Sequence, residues 1–425
     1  MSKLALLGGS PVLAQPLAPY QSMGTAETEA VCRVMASGVL SGFYGSAGEL
    51  FFGGPQVRAF EQAWGTRFSS RFVVSMNSAT SGLMAAMGAI GLSPGEEVIV
   101  PPYTMSAGAM APLVYGGIPV FVDIEPDTFC LDVDAVRDAI GPRTRAIIAV
   151  NLFGHPARLR ELRQLAEAKG LSLVEDNAQG MLADEGGRNA GTIGHIGVFS
   201  LNYHKHIHAG EGGVCVTDDE RLAERLRLIR NHGENVVSAA DHNAALSNII
   251  GFNFRLPELS AAIALEQLAR IDEHVERRER IGRSLTAAVA DLEGLTPPMI
   301  RSGCRHAFYV WAVKVDETEL GISRALLSRA LAAEGFPHFV GYVAPLYRLP
   351  LFSRRIAIGA HGYPFTLSNV TYPPKMCAVT ERMHERELLG FECCLYAVGD
   401  QEVEALGEAI RKVHSLRDEL RASIA

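Results

Sequence analysis

The stretch with the clearest chemical content is Ser200-Leu201-Asn202-Tyr203-His204-Lys205-His206-Ile207-His208-Ala209-Gly210-Glu211-Gly212-Gly213. A lysine stands five residues after a serine and just before a Gly-Glu-Gly-Gly turn. This places an amine beside groups suited to a phosphate. Pyridoxal phosphate (PLP) asks for that pairing, because its aldehyde takes a lysine amine as a Schiff base and its phosphate needs donors. The amine must be neutral to attack, and burial lowers a lysine pKa. Released again, the same amine can carry a proton between two carbons. By itself the stretch also describes a solvated surface lysine, so its meaning depends on the rest of such a site.

Three further segments supply candidates. In Asn77-Ser78-Ala79-Thr80-Ser81-Gly82-Leu83, small hydroxylated residues lead into a helix. A helix start carries free N–H groups and partial positive charge, which suit a phosphate, though an ordinary cap has the same composition. In Val174-Glu175-Asp176-Asn177-Ala178-Gln179, a strand ends in acidic residues, and ligands bind at such strand ends in parallel sheets. An aspartate there would keep a pyridine nitrogen protonated. Gly251-Phe252-Asn253-Phe254-Arg255-Leu256 sets a polar pair among aromatic residues, suited to an interface strand or a donor to a neighbouring site. His204, His206 and His208 would share one face of a strand, which invites a metal reading. No fourth ligand or carboxylate cluster accompanies them, so pocket polarity or packing is favoured and no metal is expected.

These segments need a scaffold. Short apolar runs at Val98–Val100, Val120–Val122, Ala146–Val150 and Leu171–Val174 read as strands, joined later by Gly212–Val216. A helical pattern precedes them at 82–91, and another from Arg158 to Lys169, with Leu159, Leu162, Leu165 and Ala166 at helical spacing, lies between the runs at 146–150 and 171–174. Asp218 or Asp219 caps a helix ending near Gly233. The alternation predicts an α/β fold with a mostly parallel sheet covered on both faces. Beyond about residue 265 the pattern changes. Glu266 to Leu292 reads as one long charged helix, Phe308 to Val315 as a strand, and Arg324–Glu334 and Gln401–Leu420 as amphipathic helices.

Composition narrows the class. The chain has 425 residues, 48% of them hydrophobic and 20% charged, as expected of a soluble protein with a large core. A net charge of −8 without a basic tract argues against nucleic acid. No apolar run is long enough to span a membrane. Seven scattered cysteines without a Cys-x-x-Cys pair and no signal segment point to a reducing cytoplasm.

Taken in order, the segments resemble the DegT–StrS family of PLP-dependent sugar aminotransferases, fold type I enzymes of the aspartate aminotransferase class. The resemblance starts at Leu6-Leu7-Gly8-Gly9 and includes Gly53-Gly54-Pro55, Phe60-Glu61, Val98-Ile99-Val100-Pro101 and Pro119-Val120-Phe121-Val122-Asp123-Ile124. It continues through Glu175-Asp176, Lys205 and Gly210-Glu211-Gly212-Gly213 to Pro345-Leu346-Tyr347-Arg348-Leu349-Pro350. It implies a three-layer αβα large domain with a mostly parallel seven-stranded sheet and an N-terminal arm over residues 1–265, and a smaller C-terminal α/β domain over 266–425. It implies Lys205 as the Schiff-base lysine, Asp176 on the pyridine nitrogen and Gln179 near the ring hydroxyl. Thr80 and Ser81 become the phosphate pair, with Ser200 a further phosphate contact. Asn253 would reach the phosphate of the partner subunit, which makes the enzyme a homodimer with active sites at the interface.

Three departures accompany the resemblance. Met105 of Pro101-Pro102-Tyr103-Thr104-Met105 stands where the family stacks an aromatic residue on the cofactor ring, and a thioether also packs on rings. Tyr309 stands where many members have histidine. Some members carry histidine in place of the lysine and act as dehydratases; here His204 is adjacent, but Lys205 is in register. The expected reaction is a ping-pong transfer of an amino group from glutamate or glutamine to a ketone of a sugar nucleotide or cyclitol. The alternatives are a PLP-dependent dehydratase or aromatising lyase on the same scaffold, and a non-catalytic regulatory member. Candidate substrate contacts are Tyr44, His155, Tyr203, His204, Tyr309 and Tyr342, with Tyr347 in the same stretch as Tyr342.

Overall fold

The computed structural model describes residues 3–237 and 248–423. In chain order the strands are β1 (Phe72–Met76), β2 (Glu97–Val100), β3 (Ile118–Phe121), β4 (Thr144–Val150), β5 (Ser172–Asp176), the short β6 (Asp184–Glu185) and β7 (Arg188–Asn189), β8 (Ile196–Ser200) and β9 (Gly213–Thr217). The C-terminal part adds β10 (Leu295–Thr296), β11 (Cys304–Arg305), β12 (Val310–Val315), β13 (Phe339–Val340) and β14 (Leu388–Glu392).

Among the described residues, the large sheet has seven strands in the order β1-β9-β8-β5-β4-β2-β3. The strands β8, β5, β4, β2 and β3 run parallel, while β9 is antiparallel to both of its neighbours. The apolar runs follow from burial on both faces. In β4, Ile147 and Ala149 enter the core on one side, and Ala146 and Ile148 enter the core on the other. The expected mostly parallel α/β sheet of seven strands is therefore found.

Helices cover both faces and are held by local chemistry. The Ser78 hydroxyl accepts from Ser81 N at 3.0 Å and starts Ala79–Ala89. Asp219, rather than Asp218, caps Glu220–Arg230 by accepting from Leu222 N at 3.0 Å. Each cap contributes about 1 kcal/mol. Glu258 is fully buried, and its carboxylate accepts from Gln56 N at 2.8 Å and Val57 N at 3.2 Å. It thereby caps the start of the helix Pro55–Phe68 and clips two helices together.

Three expected elements differ. The long helix over 266–292 is two helices, Glu258–Ala269 and Ile271–Val289, broken at Arg270. Arg270 there turns its guanidinium to Glu27 and to the Ser22 carbonyl, and Gln267 bonds the same pair. Contacts to the N-terminal segment thus outweigh one helical turn. The helix over 401–420 is likewise Asp400–Ser415 and Arg417–Ala422. At that break the Arg417 side chain donates to the His414 carbonyl at 3.0 Å. The strand expected from Phe308 starts at Val310, because Phe308 has φ 47° and its N–H donates to His306 Nδ1 at 2.9 Å.

The C-terminal part is built on an antiparallel sheet, β10-β12-β14-β13, with Ile271–Val289, Arg324–Ala333 and Asp400–Ser415 packed on one side. Leu4 joins this core. Buried Glu334 accepts from Ala5 N at 2.8 Å, Val12 N at 3.0 Å and Lys412 Nζ at 2.8 Å, which ties the start of the chain to this sheet. Leu346, Tyr347, Phe352, Phe365 and Tyr372 return to pack on the large sheet. Among the described residues no helix is long and apolar enough to cross a membrane.

Candidate active site

One edge of the large sheet gathers the polar candidates. Asp176 ends β5, Ser200 ends β8, and Met76 ends β1 just before Asn77 and Ser78. Antiparallel β9 begins at this same edge, where Gly213 pairs with Ser200 on one side and Met76 on the other. A Cβ on Gly213 would lie 2.4 Å from the Ser78 carbonyl, so glycine is what lets the helix start settle against the strand ends. Among the described residues nothing accepts from the N–H groups of Ala79 and Thr80. The Thr80 side chain is exposed and Ser200 is buried beside the same corner. The Ser81 hydroxyl is engaged, donating to Asn77 Oδ1 at 2.6 Å and meeting Ser78 Oγ at 2.9 Å. The result is a helix N-terminus with free donors, open to an anion.

Lys205 lies in the loop after β8, with its N–H bonded to the Asn202 carbonyl at 2.9 Å. Its Nζ sits 3.3 Å from the Tyr309 hydroxyl and 4.4 Å above that ring. Burial brings the ammonium down to about 8, against the opposing pull of Asp176. A neutral amine is therefore accessible near physiological pH. Asp176 is buried, which raises its pKa, while the Ala178 N–H and then the Lys205 charge lower it. Its Oδ1 accepts from Ala178 N at 3.1 Å, and among the described residues nothing bonds Oδ2. The adjacent Glu175 points to the other face and is consumed by the fold. It accepts from Gly191 N, Ile193 N and Gly194 N at 2.5, 2.7 and 2.5 Å. Strand alternation thus sends one carboxylate toward the lysine and the other into a loop anchor.

Aromatic residues wall the pocket. Gln179 accepts from Phe153 N at 2.8 Å and donates to the Tyr342 hydroxyl at 3.0 Å. Tyr342 packs edge-on against Tyr103 and Phe153. Phe153, Phe308 and Tyr342 hold φ of 58°, 47° and 49°. That left-handed conformation is costly for bulky residues. Such strain clusters at functional sites. Tyr103 is fully buried and donates to the Gly341 carbonyl at 3.1 Å, whereas Met105 is 58% exposed.

The other candidates divide. Tyr309 meets the Lys205 amine, and Tyr342, held by Gln179, feels the Asp176 charge. His204 stacks edge-on with Tyr203, which is 64% exposed, and tilts against Tyr309. Tyr44 is 65% exposed on the loop before Glu49–Phe52. Asn253 is exposed, and its backbone carbonyl accepts from Asn77 Nδ2 at 3.4 Å, next to the open helix start. His155 is separate. It is buried against His306, with Nδ1 on the Pro156 carbonyl at 2.7 Å and Nε2 accepting from Arg301 N at 3.2 Å, so no ring nitrogen is left for a ligand. Tyr347 is buried and donates to Glu381 at 2.7 Å.

The histidine triplet does not lie on a strand. His206 bonds the Ala307 carbonyl at 2.9 Å and His208 bonds Ser22 Oγ at 2.9 Å. Among the described residues no cluster is suited to a metal ion. Burial holds His206 down to about 3 and both His155 and His274 to about 4. A histidine kept neutral in the folded state stabilises fully above its ordinary value of about 6.5 and loses that contribution as pH falls. The urea midpoint should therefore drop between about pH 6.5 and pH 4. His206→Gln, which keeps a donor for Ala307, should flatten this drop; an unchanged slope would remove His206 as a cause.

Sequence reasoning passed over Glu392 at the end of β14, whose charge is felt at Lys205 and Tyr309. Its one signal is a carboxylate closing an apolar strand, Leu388-Leu389-Gly390-Phe391-Glu392.

A half-buried lysine with a lowered pKa, a buried carboxylate with one free oxygen and a helix start with free donors fit PLP. On this sheet they define a fold type I PLP enzyme. The chain belongs to the DegT/DnrJ/EryC1/StrS aminotransferase family, which matches residues 46–386, and it is a PLP-dependent aminotransferase. It is 32% identical over 426 residues to the L-glutamine:2-deoxy-scyllo-inosose aminotransferase of Streptomyces paromomycinus, covering 96% of this chain and 97% of the relative. GDP-perosamine synthase of Caulobacter vibrioides is 35% identical over 61% of this chain and 68% of its own length. Among solved structures, DesI in the presence of its TDP-sugar product aligns with a TM-score of 0.80 and 30% identity, covering 99% of this chain and 98% of that one. These findings do not favour the dehydratase, aromatising or non-catalytic alternatives.

Proposed function

We propose that the enzyme moves the amino group of glutamine, or of glutamate, to a ketone of a polyhydroxylated ring by a ping-pong reaction, with a cyclitol ketone favoured over a sugar nucleotide. The observation that carries the transfer itself is the half-buried Lys205 amine beside the Tyr309 hydroxyl and within the pull of the Asp176 charge. The acceptor class is supported by the near full-length match to an enzyme named for 2-deoxy-scyllo-inosose and glutamine.

Each residue then has a defined task. The open N–H groups of Ala79 and Thr80, the Thr80 hydroxyl and Ser200 would hold the phosphate. Ser81 braces this corner through Asn77 and Ser78. Asp176 would hold a proton on the ring nitrogen with its free oxygen. Gln179, fixed by Phe153 and Tyr342, would meet the ring hydroxyl. Met105 would cover the ring. When bound, PLP supplies the carbonyl that accepts the amino group and an electron sink for the electrons released on proton loss. Lys205, brought down to about 8 by desolvation and so partly neutral near physiological pH, takes the proton from one carbon and returns it to another. The Tyr309 hydroxyl positions the amine for both transfers.

The working enzyme is read as a cytoplasmic homodimer in which the exposed Asn253 reaches the partner's phosphate site. Its exposed side chain, which makes no hydrogen bond among the described residues, supports this. The test is a product screen with L-glutamine as donor and 2-deoxy-scyllo-inosose, TDP-keto-sugars and GDP-keto-sugars as acceptors. Amination of the cyclitol ketone, seen by mass spectrometry, is expected. Amination confined to nucleotide sugars would move the acceptor class, and loss of water without amination would overturn the transaminase reading.

A further inference from the structure

Glu392 closes β14 on the face of the C-terminal sheet that looks toward the large domain. Along β14 the residues alternate, with Leu389 and Phe391 in the C-terminal core and Leu388 in the large domain's core. Cys394, two residues beyond Glu392, lies in that same large-domain core together with Tyr309. Glu392 is therefore directed to the Lys205 side of the sheet. Its Cα partner is Val310, and the next residue, Cys393, donates its N–H to the Tyr309 carbonyl at 3.2 Å. Its charge is felt at Lys205, Tyr309 and Tyr342, the groups that line the pocket. Yet among the described residues the half-buried carboxylate makes no hydrogen bond and no ion pair. Taking a carboxylate partly out of water without a donor is costly, so packing does not account for it.

We propose that Glu392 is a specificity residue whose carboxylate accepts hydrogen bonds from hydroxyl groups of the ketone acceptor. This rests on the amination of a polyhydroxylated ketone proposed above. Hydroxyls on neighbouring ring carbons present two donors that match the two carboxylate oxygens. The amino-acid donor instead carries an α-carboxylate, which Glu392 repels. Glu392 thus separates the two substrates that share one pocket, by binding the uncharged polyol and directing the donor's carboxylate elsewhere.

Glu392→Gln keeps the size and removes the charge. Rapid mixing of the holoenzyme resolves the two half-reactions, one with L-glutamine and one with 2-deoxy-scyllo-inosose or whichever ketone the wild type aminates. The ketone concentration giving half the maximal rate should rise about tenfold or more, with no matching rise for glutamine. Equal rises for both substrates would assign Glu392 a structural or counter-charge role and overturn the proposal, as would an unchanged value for the ketone. If the wild type aminates a ketone and the variant is unaltered, this proposal alone fails. If the wild type aminates none, the amination reading fails and takes this one with it.

Discussion

Lys205→Ala should lower kcat by about four orders of magnitude or more and leave purified protein without the yellow colour of a PLP enzyme. The expectation is large because one amine serves two purposes. It is the nucleophile that meets the cofactor's aldehyde, and it is the base placed to move the substrate's proton. No neighbour replaces it. His204 is held down to about 4 by burial and by the Lys205 charge, and His206 spends its Nε2 on the Ala307 carbonyl. Tyr309 is the remaining group at the amine, and burial pushes its hydroxyl well above its ordinary value, so it stays protonated and supplies no phenolate to accept the proton. The thermal midpoint should hold or rise, since an ammonium is removed from a half-buried site where desolvation already disfavours it. Absorbance spectra and single-turnover rates check the effect, and methylamine should restore part of the proton transfer in the variant. Near-normal turnover with an intact spectrum would sink the role of Lys205.

Asp176→Asn should reduce kcat by about two to three orders of magnitude at saturating cofactor while the protein stays folded. The substitution keeps the shape and the contact near Ala178 N, but removes the charge that holds a proton on a ring nitrogen. Burial already works against that charge, because desolvation raises the Asp176 pKa. The amide relieves this, so the melting temperature should not fall. The neighbouring Glu175 makes the contrast meaningful. Its carboxylate is spent on three backbone N–H groups, so one strand carries one acid for chemistry and one for structure. Unchanged kcat in Asp176→Asn would remove Asp176 from the proton-holding role; a collapse in stability would make it a second structural acid.

Much of the seven-stranded sheet is legible in the chain because its strands are buried on both faces. Such strands read as apolar runs, as in Ala146–Val150, and their ends carry the polar residues that matter. The helix boundaries at Arg270 and Leu416 are not legible. Charged helix formers continue through both points, and each break is set by side chains that reach outside the local pattern, Arg270 to Glu27 and Arg417 to the His414 carbonyl. His155 shows the same limit. A histidine after a strand reads as a ligand contact, but only packing against His306 and the N–H of Arg301 reveals that its nitrogens are used.

The sheet, the family and the positions of Lys205, Asp176 and the Ser78–Ser81 helix start are written in the chain itself. Local composition and spacing carry them, because strand burial, capping and glycine turns act over a few residues. Three contacts come from folding alone: Tyr309 meets the lysine amine, Gln179 is locked by Phe153 and Tyr342, and Glu392 faces the same pocket. All three join segments distant in the chain, and the third depends on a β12–β14 register, Glu392 opposite Val310, that no local pattern encodes. A one-residue slip in that register would send Glu392 into the opposite core.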